Sequence, residues 1–141
     1  MRLLLQALKE RITAEALAPA GGVWLGMAPA GTPFPFLTLT VIGPFGPPDY
    51  NSGPAYVDII PVSFDVFGTD GPALEKYMEG LEEKLAPRPF RNPLHLDRGK
   101  HLITLRGGKD FFEEPDRAPD GKIVFHGLEI FEFRIGKKVG A

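Results

Sequence analysis

Few side chains in this sequence carry ready-made chemistry, and their spacing limits what they can do. His95 and His101, with Asp97 between them, have the donor types of a metal site. Zinc ligands usually come as tighter pairs on one defined element, so ordinary loop and strand histidines are the simpler reading. His126 stands alone. Asp65, Glu113, Glu114, Asp116 and Glu129 offer carboxylates, but their spacing pairs no two of them for acid–base work. Acidic residues clustered in a loop are ordinarily solvated. Ser63 lacks the flanking glycines of a nucleophile elbow. Arg106-Gly107-Gly108-Lys109-Asp110 has a glycine pair and a lysine without the spacing or the Ser/Thr of a phosphate-binding loop. It reads as a turn that ends a strand. With no cysteine anywhere, thiol nucleophiles, thiolate metal sites and disulfides are excluded. The expectation is a protein that is not an enzyme, with no catalytic residue, no metal and no cofactor.

Aromatic side chains in loops carry more information. Phe45 and Tyr50 fall in one long loop, Phe90 in a second, and Phe111 and Phe112 in a third. A loop aromatic either tucks back onto the core or meets a partner. Three long loops that each carry one favour partner contact. These five residues, with Pro61, are the interface candidates. Arg88, Arg91, Arg98 and Lys100 also give the second loop a basic character.

The elements that must position these residues follow from hydrophobic periodicity. Residues 2–18 read as an amphipathic helix, with Leu5, Leu8, Ile12 and Ala16 at helical spacing. Pro19 and Gly21-Gly22 stop it. Val23-Trp24-Leu25 is a short strand, and Phe36 to Ile42 alternates as a longer one. After a loop rich in glycine and proline, Tyr56 to Phe67 is the clearest strand, with Ile60, Val62, Phe64 and Val66 on one face. Pro61 cannot donate a ladder hydrogen bond, so it marks an edge or a bulge. Thr69-Asp70-Gly71-Pro72 starts a second helix, whose stripe is Leu74, Tyr77, Met78, Leu81 and Leu85. Residues 87–99 read as loop, His101 to Arg106 as strand, Gly107 to Gly121 as loop, and Lys122 to Ile135 as a final long strand or a bent pair of strands. Its apolar parity changes near Gly127, which predicts a bulge there. The fold class is α+β: a mostly antiparallel sheet with two helices packed on one face and long Gly/Pro-rich loops. The predicted core includes Leu8, Ile12, Phe64, Val66, Leu74, Met78 and Leu81.

Composition agrees. At 141 residues the chain suits one domain, 1–141. A net charge of -2 argues against a protein whose main task is to grip nucleic-acid phosphates. The apolar start Met1-Arg2-Leu3-Leu4-Leu5 meets Lys9, Glu10 and Arg11 too soon for a signal peptide. No segment nears the ~18 apolar residues of a membrane span. The expectation is a soluble chain made in the cytoplasm, with no membrane contact.

Read together, several segments resemble one family. They are Gly22-Val23-Trp24; Ala28-Pro29-Ala30-Gly31-Thr32-Pro33-Phe34-Pro35-Phe36-Leu37-Thr38-Leu39; Val62-Ser63-Phe64-Asp65-Val66-Phe67 with the helix after it; and Glu114-Pro115-Asp116 with the strand Val124 to Ile130. The series is similar to the tail-terminator, or tail-completion, proteins of long-tailed phages. The resemblance implies a structural virion protein of a bacteriophage or prophage. Such proteins form a ring, typically hexameric, on the last tail-tube ring. The implied partners are further copies of the chain, the tail-tube protein and a head-completion or neck protein. Genome DNA passes through the lumen without specific binding. The implied location is the head-proximal end of the tail, in a protein made in the host cytoplasm. Two alternatives stand beside it: a head-closure or neck connector protein, and a small ligand- or metal-binding enzyme domain around His95, Asp97 and His101.

Overall fold

The computed structural model describes residues 2–42, 57–85, 94–96 and 99–136. Phe45, Tyr50, Phe90 and Asp97 lie outside the described residues. Helix α1 (Arg2–Ala14) is followed by strands β1 (Val23–Leu25), β2 (Phe36–Val41) and β3 (Val57–Gly68). Helix α2 (Gly71–Leu85) then leads to β4 (Leu94–Leu96), β5 (Gly99–Glu113) and β6 (Phe125–Gly136). The strands form one six-stranded sheet in the order β1-β2-β3-β6-β5-β4. Every neighbouring pair is antiparallel except β1 and β2. The fold is therefore α+β, as expected.

Both helices lie on one face of this sheet. Leu4, Leu8 and Ile12 of α1 and Leu74, Met78, Leu81 and Leu85 of α2 are buried in one cluster. They meet Leu37 and Leu39 of β2, Val62, Phe64 and Val66 of β3, and Phe131 and Phe133 of β6. All seven core residues predicted from periodicity are in it. Phe64 sits at its centre, edge-on to Phe131 with ring centroids 4.8 Å apart. α1 touches β1 and β2 at one side of the sheet and β4 at the other, so the sheet curls around it.

Local chemistry sets the ends of the helices. α1 stops earlier than its apolar stripe suggests. The N–H of Leu17 donates to the Ile12 carbonyl, and that of Ala16 donates to Thr13. Ala16 takes the left-handed conformation, φ 57°, that glycine usually supplies at such a cap. At the start of α2, Asp70 Oδ1 accepts from the Ala73 N–H at 3.2 Å, as an N-cap should. The proline-rich segment before β2 is anchored through Gly21, whose N–H donates to the Pro35 carbonyl at 2.7 Å. A Cβ at Gly21 would collide with the Pro33 and Pro35 carbonyl oxygens.

Four expectations need correction. Pro61 does not mark an edge: β3 is an interior strand, flanked by β2 and β6. Pro61 is tolerated because β2 ends beside it. Its carbonyl accepts from Ile42 N–H at 3.0 Å, just past the last β2–β3 pair, Val41 with Val62. In an antiparallel ladder a residue's N–H points to the same side as its carbonyl. The missing donor is therefore the one that would return a bond to the Ile42 carbonyl, one residue past the end of β2. Second, the segment read as a loop from Gly107 is strand as far as Glu113, and the loop is 114–124. Third, residues 87–99 include the short strand β4 and the start of β5. Fourth, β6 carries no bulge at Gly127; it pairs with β3 without a break from Val57–Gly136 to Gly68–Phe125. The irregularity lies on β5, between Leu105 and Lys109, where β5 uses more residues than β6.

The parity change near Gly127 has another cause. Gly127, Glu129, Phe131 and Phe133 are all buried and alternate along β6 on its helix-covered face. Leu128 and Ile130 are half-buried on the opposite face. A glutamate on the inner face and two aliphatics on the outer face imitate a slip of register.

Candidate assembly surface

The sheet face away from the helices carries an aromatic row. Phe36 of β2, Phe67 of β3, His126 of β6 and Phe112 of β5 are successive register partners across four strands. Their rings follow one another at 5.0, 4.2 and 4.5 Å between centroids. Phe34, just before β2, extends the row at 5.5 Å from Phe36. Directly opposed aromatics on a sheet are a recurrent stabilising arrangement. At the β5 end, Phe112 is 41% exposed, one of two large exposed hydrophobics among the described residues. The other, Met27, is 89% exposed and follows β1.

The two aromatic candidates that the structure describes therefore separate. Phe111 points to the helix side, packs against the core and stacks on Phe125 at 5.7 Å. It tucks back. Phe112, one residue on, faces outward and is open to contact. Both lie on a strand rather than a loop. Pro61 is buried within the chain.

His126 is the chemical centre of the outer face. Its Nε2 lies 2.6 Å from Asp65 Oδ1, and its Nδ1 lies 2.7 Å from Glu114 Oε1. Ser63 Oγ donates to the other Asp65 oxygen at 2.8 Å. Burial lowers the imidazole pKa, but the hydrogen bonds and charges of Asp65 and Glu114 outweigh it, so the pKa stands above the ordinary 6.5. A serine, an aspartate and a histidine thus meet, but not in the order that activates a nucleophile. Ser63 gives its proton to the carboxylate rather than to the imidazole, and both ring nitrogens are occupied. Nor do these donors converge on a metal. The carboxylates sit at opposite edges of the ring, so no point lies at ~2.1 Å from both and from one nitrogen. Among the described residues no cluster of His, Asp and Glu is arranged for an ion.

A second polar site lies under α2. Glu129 is 2% exposed, and neither carboxylate oxygen meets a hydrogen-bond partner among the described residues. Burial pushes its pKa up to about 7, the neighbouring charge of Glu82 adds to the rise, and Lys109 partly opposes it. Lys109 is its register partner on β5, and its ammonium lies 3.3 Å from Glu82 Oε2. The buried carboxyl thus keeps its proton through the mildly acid range and loses it near neutral pH.

Sequence spacing did not bring these groups together. Asp65 and His126 are sixty-one positions apart, and only strand register joins them. Glu113 and Asp116 are exposed, as a solvated cluster should be, but Glu114 is half-buried on His126. The one available signal was parity: Ser63 and Asp65 alternate with the core residues of β3, which places both on the outer face. His95 and His101, which the sequence offers only as an alternative site, stand elsewhere in the sheet. His95 pairs with Lys100, and His101 pairs with Leu94, so the two histidines are not register partners.

No protein-family model matches the chain, and no curated protein matches it. Its fold is similar to that of a chain in a solved structure, the virion of a native gene transfer agent (GTA) particle. The TM-score is 0.58, with 16% sequence identity, over 94% of this chain and 94% of that chain. At that identity the likeness is one of fold. Among the described residues no helix is long and apolar enough to cross a membrane.

Proposed function

We propose that this chain is a structural protein of a phage-like virion, a single domain that assembles into a ring ending the tail tube. The observation that carries the reading is the fold likeness to a chain of a virion particle, which spans nearly the whole of both chains. The family resemblance of the proline-rich segment before β2 and of the strand–helix unit β3–α2 points the same way. In this reading the ring is a hexamer in the tail, at its head-proximal end. It stops tube growth, offers the surface that joins the head, and lets DNA through without binding it. A net charge of -2 suits a lumen that conducts DNA without holding it. The polar networks serve packing and no reaction, so the protein is not an enzyme.

A ring needs a head-to-tail interface that closes on itself. The sheet offers two unlike borders for it. One is short β1. The other is β5 beyond the three residues that β4 pairs, where the outer side of the strand has no sheet partner among the described residues. Open strand edges readily take up a further chain. Exposed Phe112 lies on this border and supplies an aromatic anchor.

Deleting the gene in a particle-producing host tests the role. The expected result is tails of uncontrolled length that fail to join heads. Tails of normal length without heads would replace this reading with a neck protein. Normal, infectious or gene-transferring particles would refute a structural role altogether.

A further inference from the structure

We propose that His126 is a proton-gated clasp that holds the segment from Glu114 to Val124 against the outer face of the sheet. The argument begins with hydrogen counting. A neutral imidazole has one N–H, and a carboxylate only accepts. His126 meets a carboxylate at each nitrogen, at 2.6 and 2.7 Å. Both contacts are satisfied together only when both nitrogens carry protons. Loss of one proton turns one contact into a nitrogen lone pair facing an acceptor oxygen.

The two arms of the network are held differently. Asp65 is fixed from its other side by the Ser63 hydroxyl. The imidazole lies between the rings of Phe67 and Phe112, tilted to both, with centroids 4.2 and 4.5 Å away. Glu114 is different: it is the first residue after β5, and its backbone N–H donates to the Val124 carbonyl at 2.8 Å. The segment then turns through Ala118, whose N–H donates to the Lys122 carbonyl, with Ala118 and Val124 buried as its apolar anchors. Glu114 is thus the movable arm of the clasp and Asp65 the fixed one. The titratable groups around the ring are Asp65 from β3 and Glu114 from the loop. Asp110 of β5 lies one row along the same face, its carboxylate accepting from the Phe111 N–H. Among the described residues no lysine or arginine pairs with Asp65 or Glu114. The histidine is an ion-pair partner of both carboxylates, so its proton is the positive charge they share.

The sign follows from the upward shift of the imidazole. The clasp is closed at acid pH and is lost as pH rises through the folded pKa of His126. Opening frees the loop beside Phe112, so the proton controls how that end of the aromatic row is presented. The inference rests on the network and stands whether or not the chain ends a tail tube.

Nuclear magnetic resonance on the full chain tests it. Ring nitrogen shifts report the protonation of His126, and hydrogen exchange of the Glu114 amide, expressed as a protection factor, reports closure. Both nitrogens are expected to be mostly protonated at pH 6.5, where an ordinary histidine is half charged. Protection of the Glu114 amide should then fall about tenfold or more across the His126 titration, while the Val66 amide stays protected. In Glu114→Gln the side-chain amide can donate to a neutral nitrogen, so the step should vanish. A ring half or less protonated at pH 6.5, a protection factor flat through the titration, or a step that survives Glu114→Gln would each overturn the proposal. If the variant does not fold, the two readouts on the unmodified chain decide alone.

Discussion

Replacing Glu129 by glutamine removes the charge that this carboxyl acquires as pH rises and leaves its shape nearly unchanged. In the fold the group titrates at about 7, against an ordinary value of 4.5, chiefly because it is buried. A raised pKa means that the folded state holds the proton more tightly than the unfolded chain does. The stability linked to that proton is complete below pH 4.5 and lost as pH rises to about 7. The gap is about 2.5 pH units, and at ~1.36 kcal/mol per unit it amounts to about 3 kcal/mol. The carboxyl is almost fully buried, so little of this is screened by water. Urea unfolding of both proteins at intervals from pH 4.5 to 8 measures it. Glu129→Gln should gain about 3 kcal/mol relative to the parent across that range. The pH response of His126 is common to both proteins and cancels in the difference. A difference that stays constant with pH would show that Glu129 is not a buried acid and would remove the argument.

Phe64→Ala should cost ~3–5 kcal/mol, because the ring is 1% exposed at the centre of the core; a thermal melt measures it. Ala16→Gly should raise stability by about 1 kcal/mol in urea titration, since glycine takes the positive φ of this cap without strain. Phe112→Ser should leave the melting temperature within a few degrees of the parent, yet reduce ring assembly or tube binding in sedimentation.

The sequence yielded the layers of the fold because periodicity is a local signal. The α2 stripe, the alternation of β3 and the core follow from apolar spacing and stand where expected; the α1 stripe holds through Ile12, but Ala16 falls beyond the helix and is exposed. Register is a non-local property, and there the reading stopped. The interior position of β3 contradicts the edge inferred from Pro61, since the missing N–H matters only on the side where β2 has run out. The inner position of Glu129 was invisible because a glutamate on a strand is normally taken as solvent-facing. That glutamate, with Leu128 and Ile130 on the outer face, produced the apparent bulge at Gly127, whereas the irregularity lies on β5. The same gap hid the His126 network, whose members come from β3, β6 and the following loop. Phe112 was singled out as an exposed aromatic, but its strand setting, and the separation from Phe111 that alternation imposes, needed the extended β5.

The central claim is that this protein ends a growing tail tube, and tube length is its most direct readout. Purified protein is mixed with polymerising tail-tube protein, and the lengths are measured by electron microscopy. The account predicts that tubes stop growing and carry a ring of this protein at one end. Tubes that lengthen as they do without it, with bare ends, would contradict the account.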